Sequence, residues 1–350
     1  MDTKLSQIIG KNKKPFIIAE MSANHNGSLE NAKEIISVAK KIGVDAVKIQ
    51  TYQADSMTLD SNKSDFLIKH GIWKGYKLFD LYNKAQTPPF WQEELFNHAR
   101  KENILIFSSI FNPSDIDLLM SLNTPIFKIA SFELTDIPLI KKVAKTKKPI
   151  FLSTGMASEI EIEEALNVIN KYSSAEVLLF HCISSYPAKV EEYNLRMIET
   201  LEKKFGVLVG LSDHTIGIEA SIAAVSLGAV AIEKHFSINH APDGVDSSFS
   251  INPSEMKKLL SKTSAAWKGL GKGNFIRTSE ELKNKVFRRS LYFCKNIKKG
   301  GIISKENIAI IRPSLGLEPK YFDKVLGMRV KKDVEKGDRV IWDILEETNL

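Results

Sequence analysis

Val207-Leu-Val-Gly-Leu-Ser-Asp-His214 and, one helix-length further on, Val230-Ala-Ile-Glu-Lys-His235 decide how this chain is read. Each is a short apolar run that ends in side chains capable of chemistry. Toward the amino terminus the same design recurs. Phe16-Ile-Ile-Ala runs into Glu20, Ala46-Val47 into Lys48-Ile-Gln50, and Ile104-Leu-Ile-Phe107 into Ser108-Ser109. Ile126-Phe127 leads to Lys128, Ser131 and Glu133, Ile150-Phe-Leu152 to Ser153-Thr154, and Val177-Leu-Leu-Phe180 to His181-Cys182. Between the runs lie helix-period segments with start signals. Ser158-Glu-Ile-Glu161 has capping-box spacing, and Asn112-Pro113 and Asn252-Pro253 put proline where a helix begins. Strand then helix, repeated eight times, predicts a (β/α)8 TIM barrel, an α/β fold that keeps its chemistry at the carboxyl ends of its strands.

The barrel is expected over residues 1–275, followed by a linker over 276–288. Gly269-Leu-Gly-Lys-Gly273 lacks the strand and the lysine–serine/threonine ending of a phosphate loop and reads as flexible chain. From about Arg289, short β signals separated by glycine-containing turns predict a small β-rich domain over 289–350. Residues 51–86 are too long for an ordinary strand-to-helix connection. They carry Tyr52, Phe66, Trp73, Tyr76, Phe79 and Tyr82, and read as a partly folded structural insertion near the site mouth.

A content of 43% hydrophobic and 26% charged residues is that of a folded globular chain, which excludes disorder. Met1 to Pro15 is polar and lysine-rich, so no signal peptide is expected, and no run approaches the roughly 20 apolar residues of a membrane helix. Two cysteines, Cys182 and Cys294, give no disulfide framework, and a reduced cytoplasmic setting is expected. The net charge of +7 comes from scattered lysines without a nucleic-acid motif. Neither nucleic acid nor a membrane is an expected partner.

His214 and His235 fall at or just past successive strand ends, where two neutral imidazoles could hold a divalent ion with open positions; a single histidine there is as readily structural. Lys48 and Lys128 could each form a Schiff base, bind an anion, or simply snorkel. Ser109, Ser131, Ser153 and Ser212 add hydroxyls at four strand ends, and with the lysines they make a cradle for phosphate or carboxylate. Glu20 and Glu133 are candidate acid–base groups. Asn24-His-Asn-Gly27 supplies amides for a polyhydroxy substrate. Cys182 reads as a small buried side chain.

Seven separated motifs, in order, then resemble the sialic acid synthase (nonulosonate synthase) family. They are Ala19-Glu20-Met-Ser-Ala-Asn24-His-Asn-Gly27, Val47-Lys48-Ile-Gln50, Phe127-Lys-Ile-Ala-Ser131-Phe-Glu133, Leu152-Ser-Thr-Gly155, His181-Cys-Ile-Ser-Ser-Tyr186-Pro187, Gly210-Leu-Ser-Asp-His-Thr215 and Glu233-Lys-His-Phe236. The tail, with Arg312-Pro-Ser-Leu-Gly316, resembles the family's antifreeze-like (SAF) domain. The resemblance implies condensation of phosphoenolpyruvate with the open-chain aldehyde of an N-acetylated amino sugar. It implies that His214 and His235 hold Mn2+, Mg2+ or Co2+, and that Lys48, Ser109, Lys128, Ser131, Ser153, Ser184 and Ser212 bind phosphoenolpyruvate. Glu133 would activate water, Glu20 and Asp246 would serve the sugar side, Gln50 would support the metal's water or the sugar, and Asn24 and Tyr186 are expected among the substrate-binding residues. A domain-swapped homodimer is implied, in which Arg312 reaches the sugar's N-acetyl group.

Met21-Ser22-Ala23 and Arg312-Pro-Ser314 look like the pseudaminic acid synthase branch, with N-acetylneuraminate or legionaminate synthesis as the alternative. The branch's sugar, 2,4-diacetamido-2,4,6-trideoxy-altrose, lacks hydroxyls, so an apolar site is expected, with Met21 contributing. Ser184 stands where asparagine is common in the family.

Overall fold

The computed structural model describes residues 4–239 and 244–346. Eight parallel strands close a barrel: β1 Phe16–Glu20, β2 Ala46–Thr51, β3 Leu105–Ile110, β4 Phe127–Ile129, β5 Ile150–Ser153, β6 Val177–His181, β7 Leu208–Asp213 and β8 Ala231–His235. Each strand pairs with the next, and β8 returns to β1, so no edge is left open. The expected barrel is therefore present, with every strand where the apolar runs place it to within about two residues.

Period-two alternation along each strand divides the side chains between two cores. Outward residues such as Ile17, Ala19, Val47, Ile49, Phe127 and Ile129 pack beneath the surrounding helices. Inward residues Ile18, Ala46, Phe107, Phe151, Phe180 and Ala231 fill the amino-terminal half of the barrel, and Leu5 and Ile9 join them there. Phe107, Phe151 and Phe180 stack edge-on or tilted at 5.4 Å and 5.2 Å between centroids. The inward positions one step further along are Glu20, Lys48, Ser109, Lys128, Ser153, Ser212 and Glu233, all buried. An apolar plug thus carries a charged layer at the carboxyl ends.

The chain divides into two compact units, Met1–Gly271 and Lys272–Leu350. The stretch expected as a linker carries a short helix, Ser279–Lys283, and a 3-10 turn, Asn284–Phe287. Within the second unit, β9 Ser290–Phe293 and β10 Ile308–Ile311 pair antiparallel over a core that includes Leu291, Phe293, Val330 and Val340. Among the described residues no helix is long and apolar enough to cross a membrane.

Gly210 shows how tightly the plug is filled. A Cβ there would stand 2.8 Å from the Ala231 carbonyl oxygen and 2.9 Å from the Phe180 ring. Gly210→Ala should therefore destabilise the barrel by about 1–3 kcal/mol through overpacking. Denaturant unfolding monitored in the far ultraviolet measures this, and an unchanged midpoint would show that β6 and β7 can part at no cost.

Candidate active site

The charges come together from β1, β2, β4 and β8, with hydroxyls from β3 and β7 between them. Register sets Glu20 beside Lys48, Ser109 beside Lys128, and Ser212 beside Glu233. Lys48 Nζ lies 2.7 Å from a Glu20 carboxylate oxygen and donates to Ser109 Oγ at 2.9 Å. Lys128 Nζ donates to Glu233 at 3.0 Å and sits 3.8 Å above the Phe180 ring. The other Glu233 oxygen accepts from Ser212 Oγ at 3.3 Å and lies 3.6 Å from Lys48 Nζ. Burial alone would raise the Glu233 carboxyl, but Lys128 and Lys48 outweigh it and hold the group down at about 2. Glu20 goes the other way. Its burial, reinforced by the Glu233 charge, exceeds the pull of Lys48 and lifts it to about 7. Gln50 Nε2 donates to Glu20 at 3.2 Å and to Ser22 Oγ at 3.0 Å, fixing that carboxyl in place.

The two histidines stand 5.6 Å apart between ring centroids. His214 Nδ1 faces the Ile183 carbonyl at 2.7 Å. A carbonyl only accepts, so the proton is on Nδ1 and the lone pair on Nε2. Burial holds both imidazoles neutral, His235 well below its usual range. His235 Nδ1 is buried with no hydrogen-bond partner and lies 3.9 Å from Asp246. Two buried neutral imidazoles fit a divalent cation, which requires unprotonated nitrogen. Among the described residues no group of three or more His, Cys, Asp or Glu side chains converges for a metal, so water or substrate would have to complete the coordination.

Behind the histidines, the preceding residue of each strand points outward. Asp213 and Lys234 are register partners and form a fully buried ion pair at 3.1 Å. Asp213 also accepts from Ser221 Oγ at 2.6 Å and from Thr215 Oγ1 at 2.7 Å. This pair clamps β7 to β8 directly behind the imidazoles.

On the opposite side, Ser131 Oγ contacts Cys182 Sγ at 3.0 Å and accepts from the Gly155 amide at 3.1 Å. Ser184 Oγ and one Glu133 oxygen are buried without partners. Only glycine fits at 155, because a Cβ would stand 2.4 Å from Ser184 Oγ and 2.8 Å from Ser131 Oγ. Burial raises Glu133 to about 7. Cys182 is free and buried, its thiol pushed up, which matches the reading of a small packing residue.

These groups line one cavity of about 390 Å³. Of the residues named from sequence, Glu20, Lys48, Gln50, Ser109 and Lys128 reach it, as do Ser131, Glu133, Ser153 and Ser184. Tyr186, Ser212, His214, His235 and Asp246 complete the set. Three expectations do not hold. Asn24 is buried outside the cavity, and its amide donates to the Phe236 carbonyl at 3.1 Å and Ser250 Oγ at 2.8 Å, tying the β1 loop to the chain after β8. Met21 is buried in the outer core and does not face substrate. Residues 51–86 are more than a structural insertion, because Met57, Trp73, Leu78 and Tyr82 form part of the cavity wall. Arg312 follows β10 in the second unit and is not among the lining residues. Glu233 is the residue that sequence reasoning quoted but left without a role; its place beside His235 at a strand end was the signal available.

Fold and site define a closed barrel with two buried lysines paired around a glutamate at the carboxyl ends of its strands, where barrels of this type keep their chemistry. The chain belongs to the NeuB family, whose model matches residues 35–275, and an SAF domain model matches residues 288–346. It is 46% identical to a pseudaminic acid synthase of Campylobacter jejuni over 93% of this chain and 95% of that one. It is 41% identical to a Helicobacter pylori pseudaminic acid synthase, covering 95% and 98% respectively. The crystal structure of N-acetylneuraminic acid synthetase from Leptospira borgpetersenii in complex with citrate superposes with a TM-score of 0.72 at 32% identity, over 81% of this chain and 95% of that one.

The raised Glu133 carboxyl has a thermodynamic consequence. Between its ordinary value of 4.5 and about 7, the folded chain keeps a proton that the unfolded chain has lost, so stability falls as pH rises through that interval. Glu133→Gln abolishes this loss. The variant should be more stable than the parent at pH 8 by about 1–3 kcal/mol, with the gap closing in acid. Denaturant titrations at the two pH values measure it, and a gap independent of pH would contradict the buried-carboxyl assignment.

Proposed function

We propose that this chain is a transferase that condenses phosphoenolpyruvate with the open-chain aldehyde of 2,4-diacetamido-2,4,6-trideoxy-altrose and water, giving pseudaminic acid and phosphate. The observation that carries this reading is the pairing of Lys48 and Lys128 around Glu233, ringed by serine hydroxyls from separate strand ends. Phosphoenolpyruvate carries a phosphate and a carboxylate, and two ammonium groups with several hydroxyl donors match both. The ion pairs of Lys48 argue against a Schiff-base role for that residue, while Lys128, pushed down by burial despite Glu233, is the lysine that borohydride trapping interrogates. Lys48 stays protonated because Glu20 and Glu233 overcome its burial, and a protonated amine is no nucleophile.

In the reaction, C3 of the enol forms a bond to the aldehyde carbon, leaving positive character at C2. Water adds at C2, and Glu133 takes its proton; a carboxyl poised at about 7 is ionised often enough near neutral pH to do so. The tetrahedral centre then collapses. The C2–O bond breaks as phosphate leaves with the proton from Glu133, and the Glu133 carboxylate takes the remaining proton of the C2 hydroxyl, which becomes the ketone. Exchange with solvent then resets Glu133 and the proton donor of the new hydroxyl. Glu20, held at about 7 and hydrogen-bonded to Gln50, is the group suited to protonate the new hydroxyl. His214 and His235 would hold a divalent ion, which as a Lewis acid would polarise the aldehyde oxygen. Burial of the site keeps bulk water from the electron-poor C2, so that hydration happens where Glu133 points.

Incubation with phosphoenolpyruvate and the diacetamido sugar should release phosphate and a product whose mass equals the two substrates plus water minus phosphoric acid. In Lys128→Met the Michaelis constant for phosphoenolpyruvate should rise more than about tenfold, because an unpaired buried Glu233 repels the anion. No phosphate release with any N-acetylated hexose, or a lysine adduct trapped by borohydride, would overturn the reading.

A further inference from the structure

The cavity has two unlike faces. Its floor is charged, and its wall, supplied by the segment between β2 and the next long helix Pro89–Glu102, is apolar. Met57, Ile68, Trp73, Leu78, Leu81 and Tyr82 present carbon to the space above the lysines and histidines. The segment is held there by specific contacts. The Trp73 indole N–H donates to the Val245 carbonyl at 3.2 Å, and its ring lies 5.7 Å from Tyr186 and 6.4 Å from Phe249. Tyr82 packs edge-on against Tyr52 at 6.0 Å, and Tyr52 against Phe111 at 5.2 Å. Ile68 has both main-chain groups paired, to the Tyr76 carbonyl and the Gly75 amide. The side chains of this face offer little hydrogen-bonding capacity beyond the Tyr52 and Tyr82 hydroxyls.

We propose that this wall determines sugar specificity, accepting the methyl groups of a deoxygenated, multiply acetamidated sugar and rejecting hydroxyls at the same places. The inference rests on the condensation reading above and names the side chains that choose the substrate. A hydroxyl pressed against the wall surrenders its water and finds no partner, whereas a methyl group gains by leaving water. An apolar pocket discriminates against an added hydroxyl by roughly 10- to 100-fold. Floor and wall therefore divide the work. The floor handles the reacting atoms shared by any such aldehyde, and the wall reads the distal carbons. Met21, which sits in the outer core, has no part in the choice.

The test compares kcat/KM for 2,4-diacetamido-2,4,6-trideoxy-altrose with that for N-acetylmannosamine in the parent chain and in Met57→Gln and Leu78→Gln. Both positions are only partly buried, so a polar replacement can be accommodated, and either variant alone is sufficient. The ratio should favour the deoxygenated sugar in the parent and fall about tenfold in the variants. The Michaelis constant for phosphoenolpyruvate should stay within about twofold, since the floor is untouched. Leu78→Met should retain the parental ratio. A parent that favours N-acetylmannosamine overturns the proposed activity itself. A parent that favours the deoxygenated sugar, with variants that keep its ratio or lose both sugars equally, overturns the wall alone.

Discussion

Glu233 lies buried between the ammonium groups of Lys128 and Lys48, and the rest of the site depends on that placement. Two lysines inside a barrel, above three phenylalanine rings, would be prohibitively costly without a compensating charge. Glu233 supplies it from β8 to both lysines, and Glu20 adds a second share from β1, 2.7 Å from Lys48. Because the compensation crosses the barrel, the strands must close in the observed register for it to exist. A closed barrel and the buried lysine–glutamate cluster are thus one requirement. The two glutamates are pushed apart in acidity, Glu233 held down to about 2 by the two lysines and Glu20 lifted to about 7 by burial and the Glu233 charge against the pull of Lys48. One stays a fixed charge while the other can exchange a proton near neutrality.

The histidine pair follows the same logic on the far side. His214 and His235 face inward because Asp213 and Lys234, one residue earlier, face outward and lock together. Alternation converts a structural ion pair into a positioning device for the imidazoles, whose neutrality is maintained by burial. Above this rigid layer sits the apolar wall from residues 51–86, so that a substrate with one charged and one greasy partner finds both kinds of surface within a single cavity.

Much of this was legible in the sequence, since polar residues at the ends of eight apolar runs have nowhere else to go in a barrel. Lys48, Lys128, Ser212 and His235 could be placed because each falls on a strand whose alternation fixes its face. Asn24 was misplaced because it lies in the 3-10 turn Ser22–His25, which replaces the period of two, whereas Met21 keeps that period, facing the outer core with Ala19, and was assigned from its apolar character rather than its face. Glu233 carried a position but no role, because its meaning requires Lys48 and Lys128, far away in sequence. The wall was hidden for another reason. Leu78, Leu81, Tyr82 and Ala85 share one face of the helix Leu78–Ala85, but what that face meets depends on the tertiary fold, while Met57 and Ile68 follow no such period and tertiary contacts such as Trp73 to Val245 hold their segment at the cavity.

The most direct test of the central claim follows the oxygen that bridges C2 and phosphorus. Phosphoenolpyruvate labelled with 18O at that position is incubated with the diacetamido sugar, and the released phosphate is analysed by mass. Attack on C2 by water held at Glu133, with cleavage of the C–O bond, predicts that the label leaves in phosphate and that release requires the sugar. Label retained in the organic product would mean cleavage at phosphorus, and phosphate freed without the sugar would mean hydrolysis uncoupled from condensation; either would contradict the account.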